Sequence, residues 1–399
     1  MTAFFAQYAD LFIALLKVLA VVIVLLTTVA YLSWFERKVV AHMQSRWGPE
    51  RVGPYGLIQP LADGAKFLFK EDPTPAGVDR FVYFFAPFLA LSLAMTTIAV
   101  IPLGPGQLEI FGRRTWFSIA EVDLSLLVVF AITALSVYGV ALAGWASNSK
   151  YPLLGGLRSS AQMLSYEISM TMSVVGIVLM TNTFSLRQIV EAQRGGLSHW
   201  FLFPQFLGFL CFAISAVAET NRAPFDLVEA EQELVGGFHT EYASFKFAMF
   251  FMAEYGAMVT VSLMLSVLFF GGYFSPFPDA ARFHWTLYLP AAAGLAGGAL
   301  LLVNGIRYHT ALGRAVLPLV ALMLMGIGGL CALPAVIGVI QGPFWLATKA
   351  FVILFIYVWL RGTLPRLRYD QLMNFGWKVL LPVSLANVLA TSLVVALGK

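Results

Sequence analysis

Ten apolar runs in this 399-residue chain are long enough to cross about 30 Å of hydrocarbon, a distance that takes about 20 helical residues. They lie near residues 9–33, 81–103, 124–146, 163–181, 201–218, 247–271, 286–304, 315–340, 344–361 and 378–397. Nothing else in the sequence constrains the fold as tightly. Inside lipid every backbone N–H and C=O must be satisfied by the chain itself, so runs of this length fold as helices. Only 12% of residues are charged, against about 25% in soluble domains, which points the same way. The expectation is an all-α polytopic transmembrane helical bundle, one integral membrane domain over residues 1–399, with no convincing strand. The first run follows an N-terminus without Lys or Arg and is long for a signal-peptide core, so it reads as a retained span.

Basic residues give the orientation. Of the 25 lysines and arginines, 17 fall in the first, third and other odd-numbered connections between spans. By the positive-inside rule those connections face the cytoplasm and both termini face outward. The two longest polar segments, 34–80 and 219–246, fall on that inner side, and function is expected there. A net charge of +4 therefore marks cytoplasmic loops and membrane lipid contact rather than nucleic-acid binding.

Several chemistries find no support. Cys211 and Cys331 sit in apolar stretches without a His or acidic partner at ligand spacing, which argues against a disulfide, a metal site or an iron–sulfur cluster. The glycines of GLAGGALL and GIGGL fall inside apolar runs, where close helix packing explains them better than a phosphate loop. His42, His199, His239, His284 and His309 lie in or beside loops with no metal-ligand spacing. The chain is expected to carry no flavin, cluster or metal of its own.

In the first inner loop Leu57, Leu61, Ala65 and Leu68 recur at helical spacing, and Gln59, Asp63, Lys66 and Lys70 occupy another face. That pattern predicts a short amphipathic helix at the membrane surface, with Pro60 in its first turn, where the missing donor does little harm. Such a helix either anchors to headgroups or walls a site. Glu36 closes the first span beside Trp34, Phe35 and Arg37. It is either an end-of-helix ion pair or a titratable group among apolar walls, the mixture that an amphipathic ligand such as a quinone requires.

The second inner loop, AETNRAPFDLVEAEQELVGGFHTEY, sets six carboxylates against the single Arg222. Asp226, Glu229 and Glu233 follow the i, i+3, i+7 pattern of one helical face, where like charges favour holding a proton. A solvated acidic face is the alternative. Two deeper acids argue against it: Glu254, about ten residues and about 15 Å into the sixth span, and Glu167 inside the fourth. A charge at such depth costs on the order of 2.5 to 3.5 kcal/mol, so both are expected to face a polar cavity. Carboxyls stepping from loop to membrane middle form a proton wire. Lys349, the basic residue at comparable depth, is expected to pair with one of these acids or to snorkel to the inner surface.

Four blocks spread from residue 35 to 382 carry a resemblance: ERKVVAHMQSRWGPERVGPYGLIQPLADGAKFLFKEDPTP, GGLRSSAQMLSYEISM, AETNRAPFDLVEAEQELVGGFHTEYASFKFAMFFMAEY and LRGTLPRLRYDQLMNFGWKVLLP. In content and order they resemble the H-type membrane subunit of respiratory NADH:quinone oxidoreductase, complex I. The resemblance implies a subunit of the inner membrane that joins a hydrophilic, iron–sulfur-bearing quinone module to the proton-pumping membrane-arm subunits, with quinone as substrate. Carried onto this sequence, it implies a quinone channel lined by Glu36, Arg37, Asp63, Lys66, Phe225 and Asp226. It also implies a proton relay of Glu167, Glu219, Glu229, Glu231, Glu233 and Glu254. Arg366, Arg368, Tyr369 and Asp370 would shape the cytoplasmic face. The family has eight spans, and residues 280–343 add about two more, expected to pack peripherally against lipid or a neighbouring subunit. The alternatives are a homologous subunit of a membrane-bound hydrogenase or other electron-input complex, and an ion-coupled secondary transporter. The transporter would predict paired broken helices around a midplane site, which the spans do not display.

Overall fold

The computed structural model describes residues 2–110, 113–226, 237–278 and 281–398, so Glu229, Glu231 and Glu233 lie outside the described residues. Thirteen helices follow in order. They are α1 (Thr2–Met43), α2 (Gln59–Phe69), α3 (Arg80–Thr96), α4 (Ser125–Ala146), α5 (Lys150–Thr181), α6 (Leu186–Ala192), α7 (Phe206–Glu219), α8 (Ser244–Phe269), α9 (Leu289–Ile306), α10 (Ala311–Cys331), α11 (Pro334–Thr363), α12 (Tyr369–Phe375) and α13 (Leu381–Leu397). Among the described residues nine helical segments are long and apolar enough to cross a membrane. The chain is a multi-pass membrane protein.

Each of the ten expected runs contains a helix, but the fifth falls short. Helix α7 has 14 residues, a rise of about 21 Å against about 30 Å of hydrocarbon. Ahead of it, residues 193–205 are irregular, with Gln193, Trp200, Phe201 and Gln205 buried, and two glutamines tie this stretch to the bundle, Gln193 through backbone groups and Gln205 through side chains. Gln193 Oε1 accepts from the amides of Phe201 (3.3 Å) and Gly271 (2.9 Å), and its Nε2 donates to the Val267 carbonyl at 3.0 Å. Gln205 donates to Thr391 Oγ1 at 2.9 Å and accepts from Asn387 Nδ2 at 2.8 Å. Irregular backbone at membrane depth is tolerated where protein groups replace water in this way.

A second departure is a two-stranded antiparallel hairpin, β1 (Gln107–Ile110) with β2 (Arg113–Trp116), pairing Gln107 with Trp116. Four-residue strands in a connection carry too little periodicity to stand out beside the spans. Lys17, in α1, is drawn to the end of this hairpin and donates to Thr115 Oγ1 and to the Trp116 and Ser118 carbonyls.

Helix α8 is the most enclosed element, with 67% of its span window buried, and α3, α11, α1 and α7 pack against it. Helices α4 and α5 approach closely at Gly144 and Gly156. A Cβ on Gly156 would stand 3.2 Å from the Gly144 Cα, so only small residues fit there. Asp79 caps α3 by accepting from the Phe81 and Val82 amides. Helices α9 and α10 pair with each other at the rim of the bundle, where Gly294 and Gly328 bring their backbones together.

Candidate functional site

Two hollows lie on either side of α8. The first is an open pocket of about 540 Å³ walled by Glu36, Arg37, Val40 and Ala41 of α1, the stretch Arg46–Pro49, Phe251 and Tyr255 of α8, and Arg361 of α11. The second is a narrower cavity of about 110 Å³ between α3, α4, α5 and α8, reached by Glu219, Thr220, Asn221, His239 and Glu254. Phe251 lines both.

The wall between them is a chain of charges. Glu36, 4% exposed, accepts from the Tyr255 hydroxyl at 2.6 Å and is in direct contact with the Arg361 guanidinium. Arg222 Nη1 lies 3.4 Å from Glu36 Oε1, and its Nε lies 2.8 Å from Glu254 Oε1. The guanidinium also sits over the Tyr255 ring, 4.2 Å from its centroid. Burial works against the charge on Arg222, but Glu254, Tyr255 and Glu36 outweigh it and hold the guanidinium protonated. Arg222 therefore touches a carboxylate of each hollow at once. Local backbone places it: the chain leaves α7 through Thr220, whose amide bonds back to Ala216, and turns at Asn221 with φ 50°. Gln162 of α5 then donates to the carbonyls of Ala218 (2.8 Å) and Phe225 (3.0 Å), pinning both ends of the turn.

The inner cavity combines a largely apolar lining with polar atoms that lack partners among the described residues. Glu219 Oε2, Asn221 Oδ1 and Thr260 Oγ1 are buried and make no hydrogen bond among the described residues. Buried polar atoms of this kind are ordinarily completed by water, and a cavity of this volume holds several molecules. Glu219 and Glu254 thus line one cavity. Glu167 does not line it. It lies one turn beyond Met163, which does, is half-buried, and is close enough to act electrostatically on Glu219. His239 is half-buried at the rim; burial lowers its pKa and Asp226 opposes that shift.

Of the residues expected along the channel, Glu36 and Arg37 line the open pocket. Asp63 joins them through Arg37, at 2.8 Å, while Gln59 donates to its other oxygen at 3.0 Å. Lys66 follows one turn later on α2, exposed. The predicted amphipathic helix is present, with Pro60 at its start and Leu61, Leu68 and Phe69 turned outward. Phe225 and Asp226 sit elsewhere. Phe225 packs on Tyr166, ring centroids 5.6 Å apart, and Asp226 pairs with Arg366 at 3.0 Å. Arg158 lies over the Tyr369 ring at 4.7 Å, the Arg368 amide donates to Gln371, and Asp370 is exposed in the first turn of α12.

Lys349 corrects an expectation. Among the described residues it pairs with none of the acids. Its Nζ donates to the carbonyls of Phe270 (2.6 Å), Gly272 (2.8 Å) and Phe274 (2.6 Å), under the Trp200 ring. The C-terminus of α8 leaves carbonyls without helical partners and carries partial negative charge, which attracts a cation there. Glu254 lies about 24 Å away along the same helix. Sequence reasoning also passed over Tyr255 and Arg361. Tyr255 had only its position beside Glu254 as a signal, and Arg361 read as one more inner-side basic residue.

The model of the family described as NADH dehydrogenase matches residues 16–392. Two relatives from Koribacter versatilis (strain Ellin345) and one from Solibacter usitatus (strain Ellin6076) match almost end to end. All three carry the name of the H-type subunit of NADH-quinone oxidoreductase. The Solibacter protein is 48% identical over 390 residues, 97% of each chain. One Koribacter protein is 46% identical over 399 residues, 97% of this chain and 98% of its own. The other is 42% identical over 407 residues, 97% of this chain and 92% of its own.

Proposed function

The chain belongs to the NADH dehydrogenase family, and from that premise we propose that it is the membrane subunit of a proton-translocating NADH:quinone oxidoreductase that admits quinone and passes the effect of its reduction to a carboxylate relay. The observation that carries this reading is the bridge Glu36–Arg222–Glu254, one buried cation joining an open pocket to the inner cavity.

The open pocket suits a quinone. Val40, Ala41, Trp47 and Phe251 offer apolar walls, and Glu36, Arg37, Tyr255 and Arg361 offer polar groups for a carbonyl-bearing head. Reduction of a quinone to a quinol takes up two electrons and two protons. Electrons come from iron–sulfur clusters of partner subunits in the hydrophilic module, and this chain contributes binding, charge and protonatable groups. A change of charge in the pocket acts first on Arg361 and Glu36, then on Arg222, then on Glu254. From Glu254 the cavity offers Glu219, with Glu167 beyond it, as further proton sites toward the pumping subunits. Glu229, Glu231 and Glu233 belong to the same relay as a proposal from the sequence. The bridge end of the bundle faces the cytoplasm, with both termini outside and the chain in the inner membrane.

Narrowing the pocket tests the assignment. Val40→Phe and Val40→Trp in inverted membrane vesicles are expected to raise the KM for quinone stepwise with side-chain size, while NADH oxidation by an artificial hydrophilic acceptor stays intact. An unchanged quinone KM in both variants would remove quinone from this pocket.

A further inference from the structure

We propose that the helix pair α9–α10 braces the wall of the open pocket, and that Tyr308, at its tip, is a positioning residue for the ligand of that pocket. The inference rests on the reading of the pocket as the quinone site.

The helix pair touches the rest of the bundle sparingly along its length, but its connecting turn makes a specific contact. The Tyr308 hydroxyl accepts from the Tyr55 amide at 3.0 Å, and the two rings meet edge to face with centroids 5.1 Å apart. Tyr308 is itself held, its ring stacked on His309 at 4.4 Å and seated against Gly313, where any Cβ would collide with it. A single-residue tether of this kind is rigid at its base.

Tyr55 is the right place to hold. It has φ 53°, a left-handed conformation that a bulky side chain adopts only when its surroundings enforce it. Two bonds do so: Tyr308 takes its amide, and Trp34 Nε1 of α1 donates to its carbonyl at 3.2 Å. The next residue, Gly56, lies so close to the Pro49 carbonyl that a Cβ on it would clash. Pro49 and Gly48 are wall residues of the open pocket. The path of contact therefore runs from Tyr308 through the Tyr55–Gly56 backbone to Pro49, and the pocket wall is clamped between α1 and the added helix pair.

The test uses the intact complex carrying Tyr308→Phe or Tyr308→Ala, with Val40→Phe as a companion. Hydrogen exchange of the peptide covering residues 49–58 reads the brace directly. Loss of one neutral hydrogen bond corresponds to about a fivefold change, so exchange is expected to quicken about fivefold in Tyr308→Phe and further in Tyr308→Ala. Quinone KM is expected to rise about threefold to tenfold with kcat within about twofold of the parent, a split that loss of assembled complex would not produce. Unchanged exchange overturns the brace whatever the kinetics, and faster exchange with unchanged quinone KM overturns the positioning role when Val40→Phe does shift KM. If Val40→Phe leaves KM unchanged while the Tyr308 variants still speed exchange, the quinone assignment falls and the brace on the pocket wall stands.

Discussion

Arg222→Gln should uncouple the two hollows while leaving each in place. The guanidinium uses two different nitrogens, Nη1 toward Glu36 at 3.4 Å and Nε toward Glu254 at 2.8 Å, and its side chain is only 6% exposed. Removing one partner of a buried ion pair costs about 3 to 5 kcal/mol. Here the loss at Glu36 is softened, because Arg361 and Tyr255 stay in contact with it. Glu254, 23% exposed, is further relieved by solvent screening. A net penalty of about 2 kcal/mol remains, which corresponds to a fall of about thirtyfold if it is expressed in the coupled step. The assay is quinone-dependent NADH oxidation and proton uptake in inverted vesicles, normalised to NADH oxidation by an artificial acceptor, which counts assembled complex. Arg222→Lys should be intermediate, since one compact ammonium on a flexible stem cannot lie beside both carboxylates as the extended guanidinium does. Full proton uptake per NADH in Arg222→Gln would refute the reasoning, because a bridge whose removal changes nothing is not the link between pocket and cavity.

Two other outcomes follow from groups away from that bridge. Lys349→Met removes three charge-assisted hydrogen bonds and strands the carbonyls at the end of α8, a loss on the order of 3 kcal/mol; less complex should assemble and it should melt at lower temperature, with unchanged quinone KM in the assembled fraction. His239 is depressed by burial below its unfolded value of about 6.5. As pH falls through that value the unfolded chain binds a proton first, so stability is lost from about pH 6.5 downward through the folded value and is fully present above it. Melting temperatures between pH 7.5 and 5 should fall less steeply in His239→Gln than in the parent, and parallel slopes would count against burial as the cause.

The spans were legible because lipid leaves so few backbone solutions that hydropathy alone selects the helix. The exceptions are instructive. The shortness of α7 depends on Gln193 and Gln205, whose value lies in partners 74 and 186 residues away along the chain, Val267 and Thr391. Lys349 was visible as a deep charge, but a deep charge has two kinds of remedy, an opposite charge or a set of carbonyls, and hydropathy does not say which is near. For the site, Glu36 and Glu254 stood out as acids in apolar surroundings, while Glu219 was one of six loop acids and took its role from the resemblance. Their assembly did not, because Arg222 is an ordinary loop arginine until the turn at Asn221 carries it under Tyr255.

That same turn sets one residue, Arg222, between the open pocket and the inner cavity. Glu36 and Glu254 belong to helices packed side by side, so carboxylates in direct line would repel across the interface. With Arg222 between them and Arg361 behind Glu36, two acids and two guanidinium groups balance, and both carboxylates remain on their own sides of the wall. Balance of this kind is sensitive by construction. In a medium where charges feel each other more strongly than in water, adding or removing one charge in the open pocket leaves the set of four unbalanced, and on the proposed function Glu254, which lines the inner cavity, is the group that answers. On the proposed function, a response at Glu254 belongs to the inner cavity and not to the pocket that provoked it, which is the separation that a pump needs between its driving reaction and its cargo.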